Sequence, residues 1–258
     1  MKHYLLVFFT FFLSGVFAQN TMRLKTFTYN WDSLQVQKTK SGEKRQIFEG
    51  ATGLLTYFEA HVTTLNPGEA PHDCHVHPDM EELIIVKEGL IEQSINGNKK
   101  MLGPGSVILA LPGDEHGIWN VGNTEASYYI IRWRTGEKQD VTQAKESGGS
   151  VFYDWNDIEF KTTDKGGKRQ FMQRPTALLG ELEMHVTTLN QGITSHGEHI
   201  HDSEEIIIVL KGKVEESING TSHQLGPGSL ILLLDKVPHG IRNIGEGPCE
   251  YFAFKWER

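Results

Sequence analysis

The chain is an internal duplication, and this feature limits its fold more than any other. The run His-Val-Thr-Thr-Leu-Asn at residues 61–66 returns unchanged at residues 185–190, at an offset of 124. The run Ser-Ile-Asn-Gly at 94–97 returns at 217–220, where the offset has become 123 because one residue has been lost. Two copies of one pattern in tandem indicate two domains of similar structure.

The first 18 residues have the pattern of a secretory signal peptide. Lys2 precedes an apolar run, and Val16 and Ala18 are the small residues that a signal peptidase requires at −3 and −1. The run is too short to span about 30 Å of hydrocarbon. We predict cleavage before Gln19 and export of the mature chain, with the periplasm as the expected location.

The duplicated halves define the expected domains. We predict a first domain over 27–135 and a second over 151–258, joined by a linker over 136–150 that is polar and has no periodicity. Each domain consists of short apolar runs between turn residues, without a convincing helical period. Asn96-Gly97 and Asn219-Gly220 are typical of tight hairpin turns. The fold class is therefore predicted to be all-β, with an antiparallel barrel or jelly roll in each repeat.

A pair of histidines precedes a buried strand in both halves. His75 and His77 are one residue apart on an extended segment, so their imidazoles point to the same side, and a carboxylate after a short turn can reach the same point. Strand alternation places Glu82 on the face of Ile84 and Val86, opposite to the face of its neighbour. The second half repeats the pattern, so the sequence predicts a metal site in each.

The same alternation assigns the ligand role within two glutamate pairs. Glu82 is selected over Glu81, and Glu205 is selected over Glu204. Glu81 and Glu204 then point away from the metal. We expect these two side chains to face solvent or to contact the ligands.

Both halves resemble the cupins, and the whole chain resembles a two-domain bicupin with the germin-like metal motif in both repeats. The first cupin motif is matched by Gly68, His75, His77, Glu82 and Gly89, and again by Gly192, His199, His201, Glu205 and Gly212. The second motif is matched by Gly105, Pro112, His116 and Asn120, and again by Gly228, Pro238, His239 and Asn243. The resemblance implies two tandem double-stranded jelly-roll barrels, with three histidines and one glutamate on a divalent metal in each.

The implied ligand sets are the following residues: His75, His77, Glu82 and His116 in the first repeat, and His199, His201, Glu205 and His239 in the second. Three neutral imidazoles and one carboxylate leave open positions on a six-coordinate ion, which suits Mn, Fe, Ni or Co, or at lower coordination Zn or Cu. Since both sets are complete, we predict two metals per chain.

Two further pairs of repeat-related residues are candidates for catalysis. His61 and His185 lie on the polar face of a strand. If that face lines a cavity, each is a general base or a group that supports the metal ligands; if it is the outer wall, each is merely exposed. Arg132 and Lys255 are candidates for holding an anionic substrate. Similarly, His72 and His196 could line the cavity mouth or be solvated on a loop.

Charge and cysteine usage narrow the function. The net charge of −8 argues against nucleic acid or an anionic membrane as partner. Cys74 and Cys249 are not equivalent in the two repeats, so we expect no disulfide framework.

We predict a secreted, metal-dependent bicupin enzyme that acts on a small oxygenated substrate, a sugar or sugar acid, by Lewis-acid chemistry of the isomerase, hydrolase or lyase type. The alternatives are an Fe- or Cu-dependent dioxygenase and a non-catalytic protein that binds sugar or metal.

Duplication of a domain commonly replaces a homodimer interface, so the two repeats are expected to pack on each other. The chain would then be a monomer with pseudo-dimeric repeats, or a homo-oligomer of such units. We expect the outer strands at 44–48 and 168–172 to take part in the contact between the repeats.

Overall fold

The computed structural model describes residues 22–258, and almost all regular structure in it is β-strand. The predicted leader over 1–18 lies outside the described residues. The first repeat contains β1 (Phe27–Tyr29), β2 (Gln37–Lys38), β3 (Gly42–Gly50), β4 (Tyr57–Leu65), β5 (His75–Val76), β6 (Glu81–Glu88), β7 (Ile91–Ile95), β8 (Asn98–Leu102), β9 (Val107–Ala110), β10 (Glu115–Asn120) and β11 (Ala126–Arg134). The second repeat contains β12 (Val151–Tyr153), β13 (Lys161–Thr163), β14 (Gly166–Arg174), β15 (Glu181–Leu189), β16 (Glu204–Lys211), β17 (Val214–Ile218), β18 (Thr221–Leu225), β19 (Leu230–Leu233), β20 (His239–Asn243) and β21 (Cys249–Glu257). Short 3₁₀ turns occupy Trp31–Ser33 and Trp155–Asp157. The predicted all-β class is confirmed.

Each repeat is a jelly roll in which a seven-stranded antiparallel sheet faces a smaller one. In the first repeat the strand orders are β12-β9-β6-β11-β4-β3-β2 and β5-β10-β7-β8. In the second repeat they are β1-β19-β16-β21-β15-β14-β13 and β18-β17-β20. The predicted hairpin turns form between β7 and β8 and between β17 and β18, with positive φ at Asn96, Gly97, Asn219 and Gly220. The predicted tandem jelly rolls are confirmed, and their two sheets face each other without forming one continuous sheet.

The segment between the repeats contains a short helix that sequence patterning did not predict. Helix α1 spans Val141–Glu146, and the side chain of Asp140 accepts a hydrogen bond from the main-chain N–H of Gln143 at 2.9 Å, as an N-cap does. Six residues make less than two turns, so a helical period has no length over which to appear. No helix in the described part of the chain is long and apolar enough to cross a membrane.

The two repeats exchange their leading strands. Strand β1 pairs with β19 of the second repeat, and β12 pairs with β9 of the first. The tryptophan that follows each exchanged strand covers a glycine of the other repeat: Trp31 covers Gly228, and Trp155 covers Gly105. The ranges 27–135 and 151–258 therefore describe the sequence repeats, but they do not coincide with the sheets. Each large sheet contains one strand that comes from the other repeat.

The central strands are apolar on both faces because each face packs into a different hydrophobic cluster. Ile84 and Val86 of β6 point into the first jelly roll, while Leu83 and Ile85 point into a large cluster that the two repeats share. In this shared cluster the rings of Phe58 and Trp256 lie 5.1 Å apart between centroids. A strand that is buried on both faces needs a continuous apolar run rather than an alternating one.

The outer strands contribute to this shared cluster, as expected. Phe48 of β3 and both Phe171 and Met172 of β14 are buried within it. The amino-terminal half of β3 has a different role, since Lys44 lines a cavity of the first jelly roll.

Cys74 and Cys249 are both free thiols.

Substitution of Gly105 by Ala should destabilise the protein through the strand exchange. The backbone at Gly105 has φ +84°, and an added Cβ would come within 2.3 Å of the Trp155 ring. The positive φ costs about 1 kcal/mol, and the forced shift of the indole adds about 1–3 kcal/mol. Gly97→Ala is the matched control, because Gly97 has φ +79° and no described residue comes within 4 Å of an added Cβ. Denaturant unfolding should show the larger loss for Gly105→Ala; equal losses would contradict tight packing of the exchanged arm.

Candidate metal centres

The first candidate centre lies where three strands of the first repeat meet. His75, His77, Glu82 and His116 each offer a ligand atom within 4.8 Å of the others. The Nε2 atoms of His75 and His77 are 2.9 Å apart. Glu82 places one carboxylate oxygen 3.4 Å from His77 Nε2 and the other 3.4 Å from His116 Nε2. Because β5 pairs with β10 so that His75 lies opposite His116, the strand register brings the two motifs together.

The second candidate centre has the same residue types, but its glutamate lies close to only two of the three histidines. His199, His201 and His239 form a group whose ligand atoms all lie within 4.8 Å of one another. Glu205 is not part of this close group, although its Oε2 lies 3.1 Å from His201 Nε2 and 3.3 Å from His239 Nε2. The loop before the glutamate is also shorter here. Three residues separate His201 from Glu205, whereas four separate the corresponding histidine and glutamate of the first repeat.

Main-chain carbonyl groups set the tautomers of three of the candidate ligand imidazoles. Nδ1 of His116, His201 and His239 lies between 2.7 and 3.0 Å from a main-chain oxygen. Since a carbonyl oxygen can only accept a hydrogen bond, each Nδ1 carries the proton. In the neutral ring, the lone pair is then on Nε2 and points toward the centre, which is the arrangement a metal-binding histidine needs.

The donor atoms are arranged for a cation. Nε2 of His116 and Nε2 of His239 are both buried, and neither has a hydrogen-bond partner among the described residues. Each nevertheless faces a carboxylate oxygen, at 3.4 and 3.3 Å respectively. Two lone pairs at this separation repel each other unless a proton or a metal ion lies between them. The residues present therefore fit a divalent ion in both repeats, and oxygen and imidazole nitrogen are the ligands it would find.

Protonation states in the centres also suit metal binding. Burial alone would raise the pKa of Glu82 and Glu205, but the neighbouring imidazoles outweigh it; they hold the pKa of Glu82 well below its usual range and lower that of Glu205 to about 2. Burial, together with the adjacent histidines, lowers the pKa of His75 to about 4. At neutral pH the carboxylates are ionised and His75 is neutral, so no proton has to be displaced from these three residues. The carboxylates in turn raise the pKa of His201 and, against the effect of burial, that of His116, so a metal would compete with a proton at these two rings.

Each candidate centre lines a cavity, and all four catalytic candidates line these cavities as well. The first cavity has a volume of about 300 Å³ and includes His61 and Arg132 in its wall. The second has a volume of about 210 Å³ and includes His185 and Lys255. The polar strand face is thus a cavity wall rather than an outer wall. The catalytic role of these residues stays a prediction.

The two loop histidines also lie at these cavities. The ring of His72 packs edge-on against that of His75, with 4.3 Å between centroids, and His196 packs against His199 at 4.1 Å. Each lines the cavity of its own repeat. Both side chains are also exposed, so each histidine is solvated at the edge of its cavity.

A buried carboxylate holds each cavity-wall histidine. Glu59 Oε1 lies 3.0 Å from His61 Nδ1, and Glu183 Oε1 lies 2.8 Å from His185 Nδ1. An ionised carboxylate can only accept, so it fixes the proton on Nδ1 and leaves Nε2 of the same ring available to the cavity. Sequence reasoning did not assign Glu59 and Glu183 a role. The signal was present in the repeated Glu-x-His spacing at 59–61 and 183–185.

The carboxylate networks of the two repeats differ. Glu59 accepts a hydrogen bond from Tyr57 at 3.0 Å, forms an ion pair with Arg132 through Nε, and lies 3.4 Å from Lys44 Nζ. The second repeat keeps two kinds of contact: Glu183 accepts from Gln170 at 2.9 Å, as Glu59 accepts from the equivalent Gln46 at 3.3 Å, and it lies 3.7 Å from Lys168 Nζ. The Tyr57 and Arg132 contacts have no counterpart at Glu183 among the described residues. Arg132 is therefore held in place at the wall of the first cavity.

Glu81 and Glu204 neither face solvent nor contact the metal ligands, so the expectation for them was wrong. Both are fully buried between the repeats. Glu81 accepts hydrogen bonds from the Thr176 hydroxyl at 2.7 Å and from the main-chain N–H groups of Ala177 and Leu178 at 2.7 and 3.2 Å. Burial raises the pKa of Glu81 to about 7, although these three donors act in the opposite direction.

Glu204 is held in the same way by the first repeat. It accepts from the Thr52 hydroxyl at 2.6 Å and from the main-chain N–H groups of Gly53 and Leu54 at 3.0 and 3.3 Å. The indole N–H of Trp256 is a fourth donor, at 3.2 Å. Each glutamate that precedes a candidate ligand glutamate is therefore bound by a loop of the opposite repeat.

Comparison with known proteins identifies the domain type. The family model described as a cupin domain matches residues 61–132 and again residues 185–255. None of the curated proteins matches this sequence significantly.

Several solved structures share the fold of nearly the whole chain. Protein Ylba from E. coli is 14% identical, with a TM-score of 0.70, and the match covers 93% of this chain and 94% of that one. AerE from Microcystis aeruginosa is 16% identical, with a TM-score of 0.67 and coverage of 90% and 99%. Lactobacillus farciminis oxalate decarboxylase, in a formate complex, is 12% identical, with a TM-score of 0.68 and coverage of 91% and 87%. At these identities the likeness extends to the fold alone.

Proposed function

Because this chain belongs to the cupin family, with a cupin domain in each repeat, we propose that it is a secreted, metal-dependent enzyme that acts on a small, oxygen-rich anion such as a sugar acid. The observation that carries this proposal is the composition of the first cavity. Its wall combines a candidate metal centre, a histidine held by a carboxylate and an arginine. These are the parts that an acid–base reaction on a metal-bound anion requires.

Cavity size and charge support the substrate class. Volumes of about 300 and 210 Å³ admit only small molecules. The guanidinium of Arg132 is tied to Glu59 through Nε, which leaves its terminal nitrogens to bind a carboxylate or neighbouring hydroxyl groups. One structure of the same fold is an oxalate decarboxylase with formate, and a small carboxylate substrate would also suit this cavity.

The proposed chemistry uses residues of the chain for binding and proton transfer. When bound, a divalent ion held by His75, His77, Glu82 and His116 would supply Lewis-acid polarisation of substrate oxygens. Arg132 would orient the anionic group. His61 would take a proton from the substrate on Nε2 and return it later, while Glu59 keeps the Nδ1 proton in place and stabilises the transient imidazolium. His185 and Lys255 would have the corresponding roles in the second cavity.

The proposal is tested by metal analysis followed by a substrate screen. The purified mature chain should contain Mn, Fe, Zn, Ni or Cu, and its reconstituted form should convert members of a panel of sugar acids and hydroxy acids without consuming O₂. A double variant, His77→Ala with His201→Ala, is the matched control and should be inactive. Uptake of O₂ in proportion to product would identify a dioxygenase. Tight binding of panel members with no turnover would identify a binding protein.

Export is a separate part of the proposal. The apolar leader with small residues at −3 and −1 supports it. Expression of the full chain in a bacterial host, followed by fractionation and amino-terminal sequencing, should give a periplasmic protein that begins at Gln19. An uncleaved cytoplasmic product would contradict export.

A further inference from the structure

We propose that Glu81 and Glu204 are positioning residues for the metal ligands Glu82 and Glu205, so that each metal centre depends on a loop of the opposite repeat. This inference rests on the proposed metal centres. It assigns a role to two fully buried carboxylates that the proposed reaction does not use.

The loops that bind the carboxylates are held by hydrogen bonds of their own. In the first repeat, Thr52 closes a turn onto Leu55, with its N–H donating to the Leu55 oxygen at 2.9 Å and its hydroxyl accepting from the Leu55 N–H at 3.0 Å. Thr176 and Leu179 form the same turn in the second repeat, with distances of 3.0 and 3.1 Å. The hydroxyl and two consecutive N–H groups then point at one carboxylate, which is a small anion-binding loop.

Each captured glutamate is the first residue of the strand that supplies the metal ligand. β6 begins at Glu81 and β16 begins at Glu204, and the residues immediately before them are not in strands. The ligand glutamate follows directly, with its side chain on the opposite face of the sheet. Strand ends fray unless they are held. A fixed Glu81 or Glu204 therefore limits the movement of the ligand next to it.

Stability alone is a weak explanation for these contacts. Among the described residues, neither carboxylate has a cation as hydrogen-bond partner; the donors are hydroxyl, main-chain and indole groups. Taking a carboxylate out of water costs several kcal/mol or more before any compensation, and apolar residues of similar size often stabilise a buried position better. Nevertheless, both repeats place a glutamate and a matching threonine loop here. A positional role for the metal ligands accounts for this arrangement.

Each threonine substitution should act crosswise, that is, it should lower the metal affinity of the centre in the opposite repeat. Thr176 belongs to the second repeat but holds Glu81, so Thr176→Val should weaken the first metal centre. Thr52→Val should weaken the second. Contacts that orient metal ligands are typically worth 10–100-fold in affinity, so we expect a loss of about tenfold for each crosswise pair. A change below about twofold is expected at the centre in the same repeat as the substitution.

The experiment isolates one centre at a time in the full mature chain. Apo-protein carrying His201→Ala reports the first centre, and Mn²⁺ or Zn²⁺ is titrated calorimetrically into this background with Thr176→Val, Thr52→Val or neither. The reciprocal background, His77→Ala, reports the second centre. Thr176→Ser keeps the hydroxyl and should retain the affinity of the first centre, which separates loss of the hydrogen bond from misfolding. Circular dichroism of each apo-variant provides the folding control.

The outcomes distinguish this inference from the proposed function. Crosswise losses of affinity support it. Equal effects of both threonine variants on both centres, or no effect on either, would overturn it and leave the metal centres standing. Absence of metal binding in both single-centre backgrounds before any threonine is changed would overturn the centres themselves.

Discussion

Replacement of both cavity-wall histidines, His61→Gln with His185→Gln, is expected to lower turnover by about 100-fold or more while the metal content stays unchanged. General acid–base catalysis by a positioned side chain contributes typically 10²–10⁴-fold to the rate. Glutamine keeps a polar group of similar reach but has no nitrogen that takes a proton near neutral pH. Neither histidine belongs to the close ligand groups, so the ions should remain.

The single variants show which cavity is active. If only the first cavity turns over substrate, His61→Gln alone should show the full loss and His185→Gln should show none. His72→Gln is the control, because His72 lines the same cavity but its Nδ1 contacts only a neighbouring main-chain oxygen, at 2.9 Å. Elemental analysis accompanies every kinetic measurement. Unchanged turnover in the double variant would exclude His61 and His185 from the reaction.

Metal content should be close to two per chain in the wild-type protein and close to one in His77→Ala and in His201→Ala. Loss of a contact that merely orients a ligand costs roughly 10–100-fold in affinity, so loss of the ligand itself should empty the centre during dialysis. Each set should bind independently of the other's ligands, because the sets are built from different strands.

The second centre should release its metal first. All four ligand atoms of the first set lie within 4.8 Å of one another, whereas Glu205 stands outside the close group of the second. Stepwise dialysis against a weak chelator should therefore leave one ion per chain before it leaves none, and His201→Ala should keep that ion longest. Contents of one, one and zero in the wild type, His77→Ala and His201→Ala would show instead that only the second repeat binds metal.

The fold and the outline of each site could be predicted because they depend on short-range periodicity. Residues along a strand alternate between two faces, so the sequence alone separates Glu82 from Glu81 and Glu205 from Glu204. The structure places Glu82 with the other candidate ligands of its centre and turns Glu81 to the opposite face. The duplication in turn predicted two similar domains, because a repeat of this length is a folding unit rather than a local motif.

The other face of the same strand could not be predicted. Alternation shows that Glu81 points away from the metal, but it contains no information about what lies there. The partner, Thr176, is 95 residues away along the chain, and the exchange of β1 and β12 depends on how the two large sheets pack. The same limit applies to His61. Its strand face has the same polar pattern whether it lines a cavity or forms the outer wall, and only the packing of the small sheet decides between the two.

What the sequence by itself determined is therefore everything that follows from local spacing: the all-β class, the tandem repeat, the two metal motifs and the face on which each ligand glutamate lies. Only the tertiary structure decided which polar face became a cavity wall, that Glu59 holds His61, and that each repeat captures a carboxylate of the other. The physical reason is that strand period and turn chemistry act over a few residues, whereas burial and hydrogen bonding between the repeats join residues distant in the chain, which no local pattern encodes.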